Sequence, residues 1–222
     1  PVYDLQVKGT DLVAATHGRS FWILDDLEQL RQLTPDTSGE KFKLFKPRPT
    51  VRAAAPFGGR RPAAGKSYQL ALGSNVTFTE SETPEGAREL KFLDAGSNPP
   101  SGPVFAYYLR DEPAEDEEIA ISVQDATGET IRPYSSRKQD EGGKENGPRE
   151  RRVPAKAGVN RFVWDTRYAH ARHVPGDKTT EDRLKGPLAP PGDYSVSITV
   201  GGETRTQEFE IVKDPRVQAT DQ

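Results

Sequence analysis

Gly158-Val-Asn-Arg-Phe-Val-Trp-Asp165, read with Gly186-Pro-Leu-Ala-Pro-Pro-Gly-Asp193 and the Tyr194 to Val200 run behind it, decides the fold. In the first stretch a β-branched and aromatic run starts at a glycine and stops at an aspartate, which is the punctuation of a strand. Trp164 is the expected centre of a core. In the second, prolines of fixed φ set a turn, after which Tyr194, Val196, Ile198 and Val200 alternate with Ser195, Ser197 and Thr199. That alternation describes a half-buried antiparallel strand.

Further strands surround these two. Gly201-Gly202 joins Tyr194–Val200 to Arg205–Val212 as a two-residue hairpin turn. Upstream, Val104 to Leu109 puts Phe105, Tyr107 and Leu109 on one face, and Ile119, Ile121 and Val123 alternate before a turn at Asp125-Ala-Thr-Gly128 that leads to Ile131. Hairpin-linked short strands of this kind from 102 to 213 predict a two-sheet antiparallel sandwich of immunoglobulin type, here without its disulfide. Residues 135 to 152 carry charge and glycine but almost no apolar side chain, and read as a mobile loop.

At the other end, Val2–Val7, Leu12–Thr16 and Phe21–Leu24 are short apolar runs split by turn residues, a β-meander. Three short strands are marginal alone, so the meander is expected to pack on something else. Asp25 or Asp26 is a candidate N-cap for one or two helical turns carrying Leu27, Leu30 and Leu33. Lys41 to Phe45 reads as an edge strand stopped by Pro47 and Pro49, Ala53 to Gly65 as a loop, and Tyr68–Phe78 and Glu89–Leu93 as further strands.

Composition bounds the function. In 222 residues, Lys and Arg number 31 against 34 Asp and Glu, a formal net charge of -3, so no global field would hold nucleic acid or an anionic membrane. Cysteine is absent, which excludes a disulfide framework and a thiolate metal or redox site. No run approaches the roughly 18 apolar residues of a membrane helix. Methionine is absent as well and Pro1 stands in mid-pattern, so the chain reads as part of a longer protein.

No catalytic constellation emerges. Gly59-Arg-Arg-Pro-Ala-Ala-Gly-Lys-Ser67 ends like a phosphate loop, but the first glycine is one place out and no apolar strand precedes it. His170 and His173 stand three apart among loop residues with no third ligand, and His17 has no nucleophile placed near it. Asp111, Glu112, Glu115, Asp116, Glu117 and Glu118 lack the order of a calcium loop and read as a solvated charged loop. Asp165 reads as a turn cap, while Asp25 and Asp26 are assigned no chemistry. Tyr107, Tyr108, Trp164, Tyr168 and Tyr194 could form a sugar platform, but their aliphatic neighbours favour a core for Tyr107, Trp164 and Tyr194. Asn75-Val76-Thr77 is a glycosylation sequon if the protein is secreted by a eukaryote. The residues therefore assign no catalytic, cofactor-binding or metal-binding position, and no cofactor.

Asp11-Leu-Val-Ala-Ala-Thr-His-Gly-Arg-Ser-Phe-Trp-Ile-Leu-Asp-Asp26 resembles the closing blade of the bacterial BNR-repeat, sortilin-like β-propeller proteins, often labelled glycosyl hydrolases. Leu44-Phe-Lys-Pro-Arg48, Asn98-Pro-Pro-Ser-Gly102, Gly158–Asp165 and Gly186–Tyr194 are similar to the C-terminal module of those proteins, itself similar to the Ig-like sandwich of flagellar hook-capping proteins. The family's Ser-x-Asp-x-Gly-x-x-Trp box is absent from this chain. The resemblance implies an upstream propeller of the same protein as partner and an extracellular or periplasmic location.

The expected architecture is all-β: a propeller-blade remnant at 1–33, a connecting region at 34–101, an Ig-like sandwich at 102–213 and a tail at 214–222. The expected role is a non-catalytic interaction or stabilising module of an exported propeller. The alternatives are a part of a glycoside hydrolase whose catalytic residues lie upstream, and a carbohydrate-binding module. Protein or polysaccharide partners and self-association through residues 1–33 are compatible with it; nucleic acid and a membrane span are not expected.

Overall fold

The computed structural model describes residues 1–18, 20–52, 65–71, 74–82, 88–93, 99–114, 116–137, 151–171 and 185–217. In chain order the elements are β1 (Val2–Lys8), β2 (Asp11–Thr16), β3 (Phe21–Leu24), α1 (Glu28–Arg31), a 3-10 turn (Pro35–Gly39), β4 (Phe42–Leu44) and β5 (Thr50–Arg52). There follow β6 (Gly65–Ala71), β7 (Ser74–Glu82), β8 (Arg88–Phe92), β9 (Val104–Leu109), β10 (Ile119–Asp125) and β11 (Thr130–Ser135). The last three are β12 (Gly158–Val163), β13 (Gly192–Val200) and β14 (Glu203–Lys213). The chain is all-β, in two units: Pro1–Thr34 with Pro56–Pro99, and Pro35–Ala55 with Pro100–Gln222.

The second unit is built from the alternation seen in its strands. Five strands run in the order β11-β10-β13-β14-β5 and three in the order β12-β9-β4. All pairs are antiparallel except β5, which lies parallel to β14 with Thr50 beside Ile211. Ile119, Ile121 and Val123 of β10, Val196 and Ile198 of β13, and Phe209 and Ile211 of β14 share one buried cluster with Phe105, Tyr107 and Leu109 of β9, Phe42 and Leu44 of β4, and Phe162 of β12. The two sheets are therefore the halves of a β-sandwich. Strands β4 and β5 come from the stretch read as a connecting region, and they complete an edge of each sheet.

Trp164 belongs to that cluster and has no exposed surface. Its indole Nε1 donates to Arg167 O (3.2 Å), and its ring meets Tyr194 and Phe209 edge-on at 5.9 and 6.3 Å. Asn160 on β12 closes the loop before that strand: its amide donates to Lys156 O (2.6 Å) and Gly158 O (3.2 Å) and accepts from Lys156 N (3.1 Å). At the β13–β14 turn, Gly201 and Gly202 take φ of +56° and +80°, the left-handed pair a tight hairpin requires.

Two buried polar groups escape sequence reading. Arg132 on β11 is buried, with its guanidinium over the Tyr134 ring (5.1 Å) and Nη1 3.6 Å from Asp165 Oδ1. Asp165 also accepts from Arg167 N (3.2 Å), the turn-capping contact expected of it. Asp214, just past β14, takes three hydrogen bonds from Arg216: from Nη2 (2.6 Å), Nε (2.9 Å) and the backbone N (3.0 Å). The Arg216 side chain first, and then its backbone, hold this carboxyl down at about 2, from an ordinary 3.8. A depressed folded pKa means the contribution is complete above about pH 4 and is lost as pH falls through 2. Asp214→Asn should accordingly flatten the fall in melting temperature between about pH 4 and pH 2. Identical acid profiles for the two proteins would contradict that assignment.

The first unit holds two three-stranded antiparallel sheets, β1-β2-β3 and β6-β7-β8. Helix α1 departs from expectation. Its N-cap is Leu27, with no side-chain cap, and not Asp25 or Asp26. Asp26 instead adopts φ +62°, donates its N–H to Asp11 Oδ1 (2.9 Å) and accepts from Gln29 Nε2 (2.9 Å), while Leu27 N donates to Thr10 O (2.6 Å). Thr10 and Asp11 thus accept the backbone N–H groups of Leu27 and Asp26, and Gln29 occupies the carboxylate that would have capped the helix. The helix stops after four residues, and Leu30 and Leu33 stay exposed. The loop predicted at 135–152 lies outside the described residues from 138 to 150, as does most of Ala53–Gly65.

Candidate functional site

Most residues with possible chemistry are scattered and structurally employed. His17 sits at the end of β2 with its ring 5.3 Å from that of Tyr3, and its N–H donates to Pro1 O (3.1 Å). His170 Nδ1 accepts from Gly186 N (3.0 Å), so it tethers a loop; His173 lies outside the described residues. Of the acidic stretch, Glu117 pairs with Lys41 (3.2 Å), Asp111 with Arg110 (2.8 Å) and Glu118 with Arg137 (3.7 Å), and Glu115 is outside the described residues. Among the described residues no three His, Asp or Glu side chains are grouped so as to hold a metal ion. Gly65-Lys66-Ser67 belongs to strand β6, where a phosphate loop would instead open a helix; Gly59 to Ala64 are outside the described residues. Asn75–Thr77 lies on β7.

The aromatic residues divide. Tyr107, Trp164 and Tyr194 are buried, as their alternation requires, and Tyr108 and Tyr168 are part-buried. The Tyr194 hydroxyl donates to Pro190 O (2.7 Å), and burial, followed by the neighbouring Tyr168, pushes its pKa up to about 12. It is a neutral structural donor at any physiological pH. Within the second unit a cleft of about 620 Å3 runs along β13 and β14, lined by Asp193, Glu208 and Glu210 with Lys46 and Pro47. Asp193 stands directly opposite Glu210 across the strands, a like-charge pairing that costs stability.

The surface that stands out is the β1-β2-β3 sheet. β1 and β3 are exposed along their whole length, and β2 is only part-buried. Register puts Leu5 beside Ala14 and Trp22, and Val7 beside Leu12 and Leu24, so six apolar side chains share one face. The other face aligns Asp4 with Ala15 and Phe21, and Gln6 with Val13 and Ile23. Trp22 is 55% exposed and Phe21 72%. Apolar side chains on both faces of one sheet are the pattern of a sheet designed to lie between two others. The sequence shows that pattern as near-continuous apolar runs, but only the register shows that six apolar side chains gather on one face, with Thr16 at its end.

No protein-family model matches the chain, and no curated protein or solved structure matches it either. Among the described residues no helix is long and apolar enough to cross a membrane.

Proposed function

We propose that the chain is a non-catalytic interaction and stabilising module of an exported BNR-type, sortilin-like β-propeller protein. In this reading β1-β2-β3 is a blade whose neighbours belong to the rest of the protein, and the sandwich is its immunoglobulin-type C-terminal module. The observation that carries it is the exposure of Leu5, Val7, Trp22 and Leu24 on one face of the sheet and of Phe21 and Ile23 on the other. Exposed contiguous apolar surface on a folded chain marks a place where another surface belongs. The resemblance of Asp11–Asp26 to a closing blade says which kind of surface that is. Support also comes from the employment of His17, His170 and the acidic residues in local contacts.

The test is a hydrophobic reporter dye on the native chain. Binding should be strong and should fall several-fold when Leu5, Trp22 and Leu24 are together replaced by serine, with the sandwich still folding cooperatively. Native chain that leaves the dye dark, or that hydrolyses polysaccharide unaided, would overturn the proposal. A second reading, carbohydrate binding, is favoured by the exposed Trp22 and not by Trp164, which is buried. Soluble glycans that quench the Trp22 emission, leaving Trp164 unchanged, would support that reading instead.

A further inference from the structure

The two sheet faces of β1-β2-β3 account for its apolar side chains, but not for the open edge of β1. Among the described residues that strand pairs with β2 on one side only. An open edge presents unpaired backbone N–H and C=O groups and recruits another strand unless something blocks it. β1 has a bulge at its start, between Val2 and Asp4, and then a regular run of five residues, Asp4-Leu-Gln-Val-Lys8. Within it the two charges have opposite sign and sit symmetrically about Gln6. Among the described residues neither makes an ion pair, and Asp4 uses its carboxylate to accept from Leu5 N (2.9 Å).

We propose that a second copy of this chain adds to the β1 edge, antiparallel and centred on Gln6. The inference rests on the reading of this sheet as a contact surface and names its partner at the edge. In that register Asp4 of each copy stands opposite Lys8 of the second copy, giving two cross-strand ion pairs, and Leu5 stands opposite Val7, giving two apolar pairs. Other symmetric registers do worse. Centring on Leu5 sets Asp4 against Gln6, and centring on Val7 sets Lys8 against Gln6, so the charges go unmatched in both. A shift by one residue turns the Leu5 and Val7 face of one copy towards the Asp4 and Gln6 face of the other. The same charges hinder a strand without this pattern, so they select as well as attract. Five paired residues cover less than the roughly 1,200 Å2 of a stable complex, so the dimer should form reversibly, on the order of 100 μM. Edge pairing leaves the faces of the sheet free for the contacts proposed above.

Light scattering on the intact chain over a concentration series, up to about 1 mM, tests this. The expected result is a monomer–dimer equilibrium weakened by salt, and weakened about tenfold by Asp4→Lys or by Lys8→Asp alone. The double substitution D4K/K8D, which restores opposite charges in the same register, should recover association to near the original strength. Asp4→Lys should keep the unfolding midpoint of the parent, since that side chain is exposed and faces Ala15 across the strands, whereas the variants carrying Lys8→Asp set a second carboxylate opposite Asp11 and should unfold slightly earlier while remaining folded. A chain that stays monomeric throughout, a double variant that fails to recover, or an association lost on Ile23→Pro yet indifferent to the charge changes would each overturn the β1 pairing. In all three cases the contact-surface reading is judged separately, by whether the serine variants of Leu5, Trp22 and Leu24 still lower dye binding.

Discussion

Trp164→Ala is expected to destabilise the sandwich by about 3–5 kcal/mol, the range for truncating a fully buried aromatic. The indole has no exposed surface, and removing it leaves Tyr194 and Phe209 facing a cavity. It also strips Arg167 O of its donor, which frees the Asp165–Tyr168 turn that the indole Nε1–H pins. Those losses are local to one cluster, so they should not be summed as though independent. Urea unfolding followed by near-ultraviolet circular dichroism would show the midpoint fall. Trp164→Phe, which keeps a ring but loses the donor, should lose less than the alanine variant. A cost under about 1 kcal/mol for alanine would mean that Trp164 is not the keystone of the packing.

Gly102→Ala is expected to cost about 3 kcal/mol, at or above the upper end of the range for overpacking, although it adds a single methyl. The Cβ would lie 1.9 Å from Trp164 O and 3.1 Å from its carbonyl carbon, and both are backbone atoms that no rotamer change can move. The approach is close because Trp164 N donates to Pro103 O (3.0 Å), bringing the start of β9 against the end of β12. Relief requires the two strands to separate at that point. Gly39→Ala serves as the control, since its Cβ would meet nothing within 4 Å. It should lie within about 0.5 kcal/mol of the parent. If both glycine variants unfold at the same urea concentration, the contact is not a constraint.

Both positions bear on how far sequence reading reaches. Trp164 is legible as a core residue because a β-branched run ending at Asp165 has few alternatives to a buried strand end. Gly102 looks like an ordinary loop glycine, and its necessity is set by a backbone carbonyl 62 positions further along. Arg132 is hidden for a related reason. Local order gives Arg132 no place: its neighbour Ile131 is skipped in the register, so that Arg132 stands opposite the buried Val123 while Thr130 stands opposite Gln124, Ile131 and Arg132 are both buried, and the guanidinium lies over the Tyr134 ring. Asp26 fails as an N-cap because Asp11, fifteen residues earlier, takes its amide.

The candidate surface was partly legible. Apolar runs separated by turn residues predict the meander, and the instability of three short strands alone predicts that it needs a partner. That Phe21 to Leu24 lie open, and that Leu5, Val7, Leu12, Ala14, Trp22 and Leu24 share one face, follows from register and exposure. The strands of β9 to β14 and the tight Gly201-Gly202 turn are determined by local order, because alternation and left-handed φ are properties of neighbouring residues. The pairing of β4 with β9, of β5 with β14, and the division of the chain into two units belong to the tertiary structure alone. Short strands such as Phe42–Leu44 and Thr50–Arg52 carry too few residues to name a partner, and only a sheet edge already in place can choose them.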